Sequence, residues 1–291
     1  MGRLLLELGP CLLLGLLVAR RFPALPAALA PPLLHWGVPL SLVGLLLKAG
    51  FRQETLPAAG LSLVLCGGGL LLTRLLPGAQ RLLPSRSLQL GAIVGNTAYF
   101  GLPAALALLP PQALGISITY DLVGTLVTWS LGPLLISGVP GQALLASPVL
   151  RAVLVAIPLQ LSPWHGSILA LLWGPTRLVI WLMLVLVGMR LAALLERSHE
   201  ESPSAELSWA LGIKLLVLPA AMLGLCAIAG VPGLVRDALV LQAAAPTAMS
   251  VLLLAEAAGG GEVIPAARLV LWSTLLALLG VPLWWWLLGW A

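Results

Sequence analysis

Two stretches of this chain set a proline among amide and hydroxyl side chains inside otherwise apolar sequence. One is Gly95-Asn96-Thr97-Ala98-Tyr99-Phe100-Gly101-Leu102-Pro103; the other is Gln242-Ala243-Ala244-Ala245-Pro246-Thr247-Ala248-Met249-Ser250. A proline inside a helix has no N–H, and its ring clashes with the carbonyl four residues earlier. Pro103 is therefore expected to free the carbonyl of Tyr99, and Pro246 that of Gln242. Gly101 adds backbone freedom beside the first proline. Each stretch reads as two half-helices, the second starting near its proline, a residue suited to a first helical turn. The N-terminus of a half-helix carries partial positive charge and unpaired N–H donors. Two such ends brought together form a pocket suited to a carboxylate. Asn96, Thr97, Tyr99, Gly101 and Pro103 would supply one wall, and Gln242, Pro246, Thr247 and Ser250 the other. Amides and hydroxyls bind an anion or water without a permanent charge. The plainer alternative is a pair of kinked helices bonded to their neighbours; two matched breaks, each with polar company, favour the pocket.

Few other residues compete for a chemical role. Asp121 is the acid that lies well inside an apolar run, where a charge costs about 2.5–3.5 kcal/mol on insertion scales. It is a candidate for carrying a proton or pairing with a cation. Arg177 could partner it or meet an anion, unless Gly174-Pro175 begins the buried stretch and leaves the guanidinium at the interface. Lys214 is expected to snorkel toward water, and Glu256 to be interfacial. Gly67-Gly68-Gly69 would permit close helix approach. Cys11, Cys66 and Cys226 are odd in number and far apart, with neither disulfide nor metal spacing; they read as small core hydrophobes. His35, His165 and His199 stand apart, a second buried Asp is missing, and no G-x-S-x-G or H-E-x-x-H pattern occurs. An enzyme is not expected: no catalytic residue, no bound metal, and no cofactor beyond coupling to H+ or Na+.

The elements that must hold these residues follow from composition. Hydrophobic residues are 60% and charged residues 9% of 291, with mean hydropathy +1.08. Soluble domains run at about 45–50% apolar and about 25% charged, so lipid must be the solvent. Ten spans of roughly 20 residues fit, at about 4–19, 27–47, 55–76, 88–109, 112–136, 146–161, 167–192, 206–229, 236–256 and 265–288. The apolar N-terminal run reads as a retained first span rather than a signal peptide, because Arg20-Arg21 follows without a small-residue cleavage site. Nine basic residues flank the spans on one side and four on the other. The positive-inside bias then places both termini outside the cytoplasm of a cell (inner) membrane. It also explains the net charge of +5 without nucleic acid. Trp284, Trp285, Trp286 and Trp290 read as an interfacial anchor. Ten spans divide into five and five, 1–137 and 138–291, the second half inverted because five is odd. Pro103 and Pro246 are matched features of the two halves.

The same residues resemble a known family. Gly95 through Pro103 resembles the fourth-span motif of the auxin efflux carrier family of membrane transporters. Leu241-Gln242 through Pro246-Thr247-Ala248, with Leu252-Leu253-Leu254-Ala255-Glu256 after it, resembles the ninth-span motif. Leu271-Trp272-Ser273-Thr274, leading to Val281-Pro282-Leu283-Trp284, is similar to the last span; Ser147-Pro148 and Val187-Gly188-Met189-Arg190-Leu191 are similar too. The resemblance extends over essentially the whole chain. It implies an all-α polytopic fold of ten transmembrane helices, a 5+5 inverted repeat in which broken helices 4 and 9 cross near the midplane. It further implies a scaffold of helices 1, 2, 6 and 7, a moving unit of helices 3–5 and 8–10, and a homodimer. The implied activity is secondary transport of a small organic anion by alternating, elevator-like access, with Asn96, Pro103 and Pro246 on the family's site. Ala245 stands where a larger side chain is common, the connection at about 137–146 is short, and the third span has no acid. These departures favour a prokaryotic-type metabolite carrier over a carrier of auxin itself. The competing readings are a passive channel or a membrane sensor or assembly subunit. No ring of like charges or carbonyl-rich filter supports the channel.

Overall fold

The computed structural model describes residues 2–50, 55–138, 148–197, 204–231 and 233–289. Most of the connection expected at 137–146, Ser147, His199 and Trp290 lie outside them. The described chain is helical nearly throughout. Its helices are α1 (Gly2–Arg21), α2 (25–49), α3 (Thr55–Leu75), α4a (Arg86–Gly91), α4b (Thr97–Leu108), α5 (Leu114–Ile136), α6 (Pro148–Leu161), α7 (His165–Arg197), α8 (Ala205–Ile228), α9a (Gly233–Ala243), α9b (Met249–Ala258) and α10 (Val263–Leu288). Among the described residues, five segments are long and apolar enough to cross a bilayer: α3, 111–136, 165–192, α8 and 260–288. Leu56, Leu161 and Ile228 are more than four-fifths exposed. Side chains of this type on the outside of an all-helical fold mark a surface solvated by lipid. The protein is a multi-pass helical membrane protein.

Prolines shape the helices without ending them. Leu33–Gly37, Thr97–Gly101 and Ile213–Val217 are π-helical turns, and each is followed two residues later by a proline: Pro39, Pro103 and Pro219. A π turn widens the helix where a proline ring would strike the carbonyl four residues back. The carbonyl that Pro219 orphans is that of Leu215, and the Trp284 indole N–H donates to it at 2.9 Å. Trp284 is thus half-buried with its indole N–H engaged within the fold; Trp285 and Trp286 are exposed.

Landmarks recur along the chain at one spacing. The π turn at 64–68 returns at 213–217, the short turn Pro111–Ala113 returns at Gly260–Glu262, and the start of α5 at Leu114 returns at Val263, each 149 residues later.

Packing divides among three clusters: a minor one joins Leu83, Leu88 and Ala92 to Leu207, Ala210 and Leu269, and two are larger cores. The smaller of these two joins Ala19, Leu42 and Val43 of α1 and α2 to Ala152 of α6 and to Val179 and Met183 of α7; the larger is built mainly from α3–α5 and α8–α10. Tyr99 and Leu122 touch both. In lipid, helix association rests on close packing of small residues rather than on expulsion of water, and α1 and α7 meet in this way. A Cβ on Gly15 would collide with the backbone at Val185 and Gly188, and one on Gly188 with the backbone of Leu12. The run Gly67-Gly68-Gly69 does not play this part: Gly68 faces open space, and Gly69 meets only the Ile93 side chain.

Near the start of α4a, the Glu262 carboxylate accepts from the Ser85 hydroxyl at 2.6 Å and from the backbone N–H groups of Arg86 and Ser87 at 3.2 and 2.8 Å. The Ser87 hydroxyl returns a bond to the Glu262 carbonyl at 3.0 Å. The turn before α10 thereby caps α4a. Glu262→Ala is expected to lower stability by about 1–2 kcal/mol, read as a depressed thermal midpoint in detergent, whereas Glu262→Gln retains most of it.

Candidate functional site

The fourth and ninth helices are both interrupted, at 92–96 and 244–248, and the two interruptions lie against each other. The Asn96 N–H donates to the Pro246 carbonyl at 2.6 Å, and the Ala248 N–H donates to the Val94 carbonyl at 3.2 Å. Gly95 and Thr247 face each other across this two-rung antiparallel ladder. Backbone groups that helix geometry leaves unpaired inside a bilayer must find partners within the protein, and here each break satisfies the other.

The first break differs from expectation. It precedes Pro103 by seven residues, and Pro103 lies inside α4b beyond the π turn at Thr97–Gly101. The proline is absorbed by the widened turn, while the helix parts where Gly95 permits close approach of the other strand. The second break centres on Pro246 as expected, yet the Gln242 carbonyl is not free: it accepts from the Ala245 N–H at 3.2 Å. The carbonyl that turns elsewhere is that of Ala243, which accepts from the Lys214 ammonium at 3.1 Å. Lys214 is completely buried, not snorkelling. Opposite, the Gly91 carbonyl at the end of α4a accepts from the Thr247 hydroxyl at 2.9 Å, and the Thr247 N–H donates to Ser273 Oγ at 3.0 Å.

The four half-helix ends are therefore treated differently. The first turn of α4b is capped by Asp121 of α5, whose carboxylate accepts from the Thr97 hydroxyl at 2.5 Å and from the Ala98 N–H. Asp121 is 2% exposed, and its Oδ2 has no partner among the described residues. The first turn of α9b, behind Ala248, has no side-chain cap. Its N-terminal N–H groups and the positive end of its dipole stand beside Ser250, which is partly exposed.

The nine residues named from sequence do fall around this crossing. Asn96, Thr97, Gly101, Pro103, Gln242 and Thr247 are buried, and Tyr99 sits where the two cores meet. Their capacities differ. The hydroxyls of Thr97 and Thr247 are engaged in holding the crossing together. Gln242 packs on Gly101, where a Cβ would collide with its amide, and both polar atoms of that amide lack partners among the described residues. A buried amide with neither bond made is costly and marks a place where a water or ligand group fits. Ser273 and Gly91 belong to the same constellation and were not singled out from sequence, and Lys214, expected from sequence to snorkel, joins them; their partners lie 26, 156 and 29 residues away along the chain.

A cleft opens beside the crossing. Pro103 and Leu106 of α4b face Arg177, Ile180, Trp181 and Leu184 of α7 across it. Helix α7 begins at His165 and continues through Pro175, so Arg177 lies within the helix and not at its start. Its guanidinium stands 5.3 Å from the centre of the Trp181 ring, and Lys48 stacks on Trp173 one turn away at 3.4 Å. The arrangement offers cation, aromatic face and apolar wall together.

No curated protein matches the chain. Residues 143–285, which span α6 to most of α10 and include Lys214, Gln242, Pro246 and Thr247, match a family described as membrane transport protein. The matched stretch is 143 of the 291 residues, just under half of the chain, and over it the chain is similar to the membrane transport protein family.

Proposed function

We propose that this protein is a secondary carrier that moves a small organic anion, such as a carboxylate, across the membrane by alternating access. The observation that carries the reading is the paired crossing of two interrupted helices at 94–96 and 246–248. Such crossings hold backbone dipoles in a buried polar pocket, as in transporter folds built from inverted repeats. The uncapped start of α9b and the unpaired amide of Gln242 supply donors for an anion, and Asn96 and Ser250 flank them. Arg177 lines the cleft between α4b and α7 and draws anions toward it.

The wider architecture belongs to the same proposal. The recurrence of landmarks every 149 residues and the antiparallel pairing of the two breaks support a 5+5 inverted repeat of ten helices. The small core built from α1, α2, α6 and α7, whose helices also contribute to the larger core, supports a scaffold against which the remaining helices move in elevator fashion. Both termini lie outside the cytoplasm in this reading, and the protein works as a homodimer.

The test is a thermal-shift screen of carboxylates on purified protein, followed by uptake of any stabilising ligand into proteoliposomes. Ligands stabilise in proportion to occupancy, so a selective rise in midpoint with saturable uptake is expected. Absence of stabilisation by every carboxylate, or channel currents far above carrier rates, overturns the reading. Asn96→Ala is expected to raise the dissociation constant roughly 10- to 100-fold, the value of a hydrogen bond to a charged group; unchanged binding removes Asn96 from the site.

A further inference from the structure

Lys214 is a lysine inside an apolar helix that reaches neither water nor an acid. It is completely buried in the π turn of α8, and its Nζ donates to the Ala243 carbonyl, the last of α9a. Among the described residues, the ion pair present is that of Arg236 with Asp237, far from this point in the chain. Gly95, in the centre rung of the crossing, leaves room for the ammonium: a Cβ there would stand 3.2 Å from Nζ and 3.6 Å from the Pro246 carbonyl oxygen. What the charge meets is therefore the Ala243 carbonyl oxygen at the negative end of α9a, with the Cys66 thiol of α3 close enough to interact with it and the unwound backbone at Gly95 beside it. Backbone carbonyls at an interrupted membrane helix are the ligands of a monovalent cation.

We propose that the Lys214 ammonium is a tethered cation occupying the position an alkali-metal ion would take at this crossing. The crossing is thereby organised without Na+ or K+, and shortening the side chain opens a latent alkali-cation site. That the organised crossing also binds its anion without these ions rests on the function proposed above; the cation site itself does not.

The experiment uses the full chain in detergent without ligand. Thermal midpoints are compared in NaCl, KCl and choline chloride at equal ionic strength for the wild type, Lys214→Ala and Lys214→Met. The wild type is expected to unfold at the same midpoint in all three salts. Lys214→Ala is expected to unfold earlier in choline and to regain about 2–4 °C in NaCl or KCl, because choline is too large to enter the vacated space. Lys214→Met fills that space with an apolar chain and is expected to be destabilised equally in every salt. A rise of the wild-type midpoint with Na+ or K+ overturns the proposal without needing any variant. So does a Lys214→Ala protein as stable as wild type, or one destabilised alike in all three salts. If the cation switch appears but no carboxylate stabilises the protein, the tethered cation stands and the anion carrier falls.

Discussion

Asp121→Asn protein is expected to lose uptake driven by a pH gradient while unfolding close to the wild-type midpoint. Asp121 is 2% exposed, accepts from the Thr97 hydroxyl and the Ala98 N–H, and leaves Oδ2 without a partner. An asparagine has nearly the same volume and still presents one carbonyl oxygen to the α4b first turn, so the cap survives. What it lacks is the ability to take up and release a proton at the oxygen that has no other partner. Asp121→Ala separates the two roles: it strands a hydroxyl and an N–H at about 1–3 kcal/mol each and is expected to be visibly destabilised. Uptake into proteoliposomes with an imposed pH gradient is the measurement; undiminished flux in Asp121→Asn rejects proton coupling at this residue.

The largest structural effect is expected from Gly188→Leu. The obstacle to a side chain there is the backbone of Leu12, not a flexible side chain that could swing away. Overpacking costs about 1–3 kcal/mol where neighbours can shift; where two helix backbones are in contact, the helices themselves must separate. Loss of monodisperse protein on size-exclusion chromatography, or a midpoint lowered by at least about 5 °C, is expected. Gly212→Leu is the control, since nothing stands within 4 Å of a Cβ at that position and surface changes in helices are usually within about 0.5 kcal/mol. A Gly188→Leu protein that behaves like the control would show that α1 and α7 do not rely on this contact.

Much of the helical layout was legible because the apolar runs are long and their interruptions carry composition. The polar stretches at 95–103 and 242–250 announced themselves by type and spacing, and the structure brings them together. The place of the first break was misjudged because a proline has two outcomes in a helix. It can part the helix, as at Pro246, or be absorbed by a π turn, as at Pro103; local sequence does not say which when the deciding partner is a second strand about 150 residues away. Separation along the chain also hid the partners of Lys214 and Glu262, 29 and 175 residues away, which are a carbonyl and a helix start with no sequence signature. Conspicuous glycines misled as well: the run at 67–69 looks like a packing motif, while single glycines at 15 and 188, in leucine-rich surroundings, make the tightest contacts with another helix backbone.

The two-rung ladder also constrains how the protein is made. Val94 and Asn96 find their backbone partners only at residues 246 and 248, and the Gly91 carbonyl waits for Thr247. A ribosome that has delivered the first five helices, ending at Ile136, has therefore left bare peptide groups within the fold, and they stay bare until about 110 further residues have been synthesised. During that interval the nascent chain needs shelter from lipid, so biogenesis of this fold favours late release of its first half from the insertion machinery, and a chain truncated before residue 246 should be recognised as unfinished and degraded.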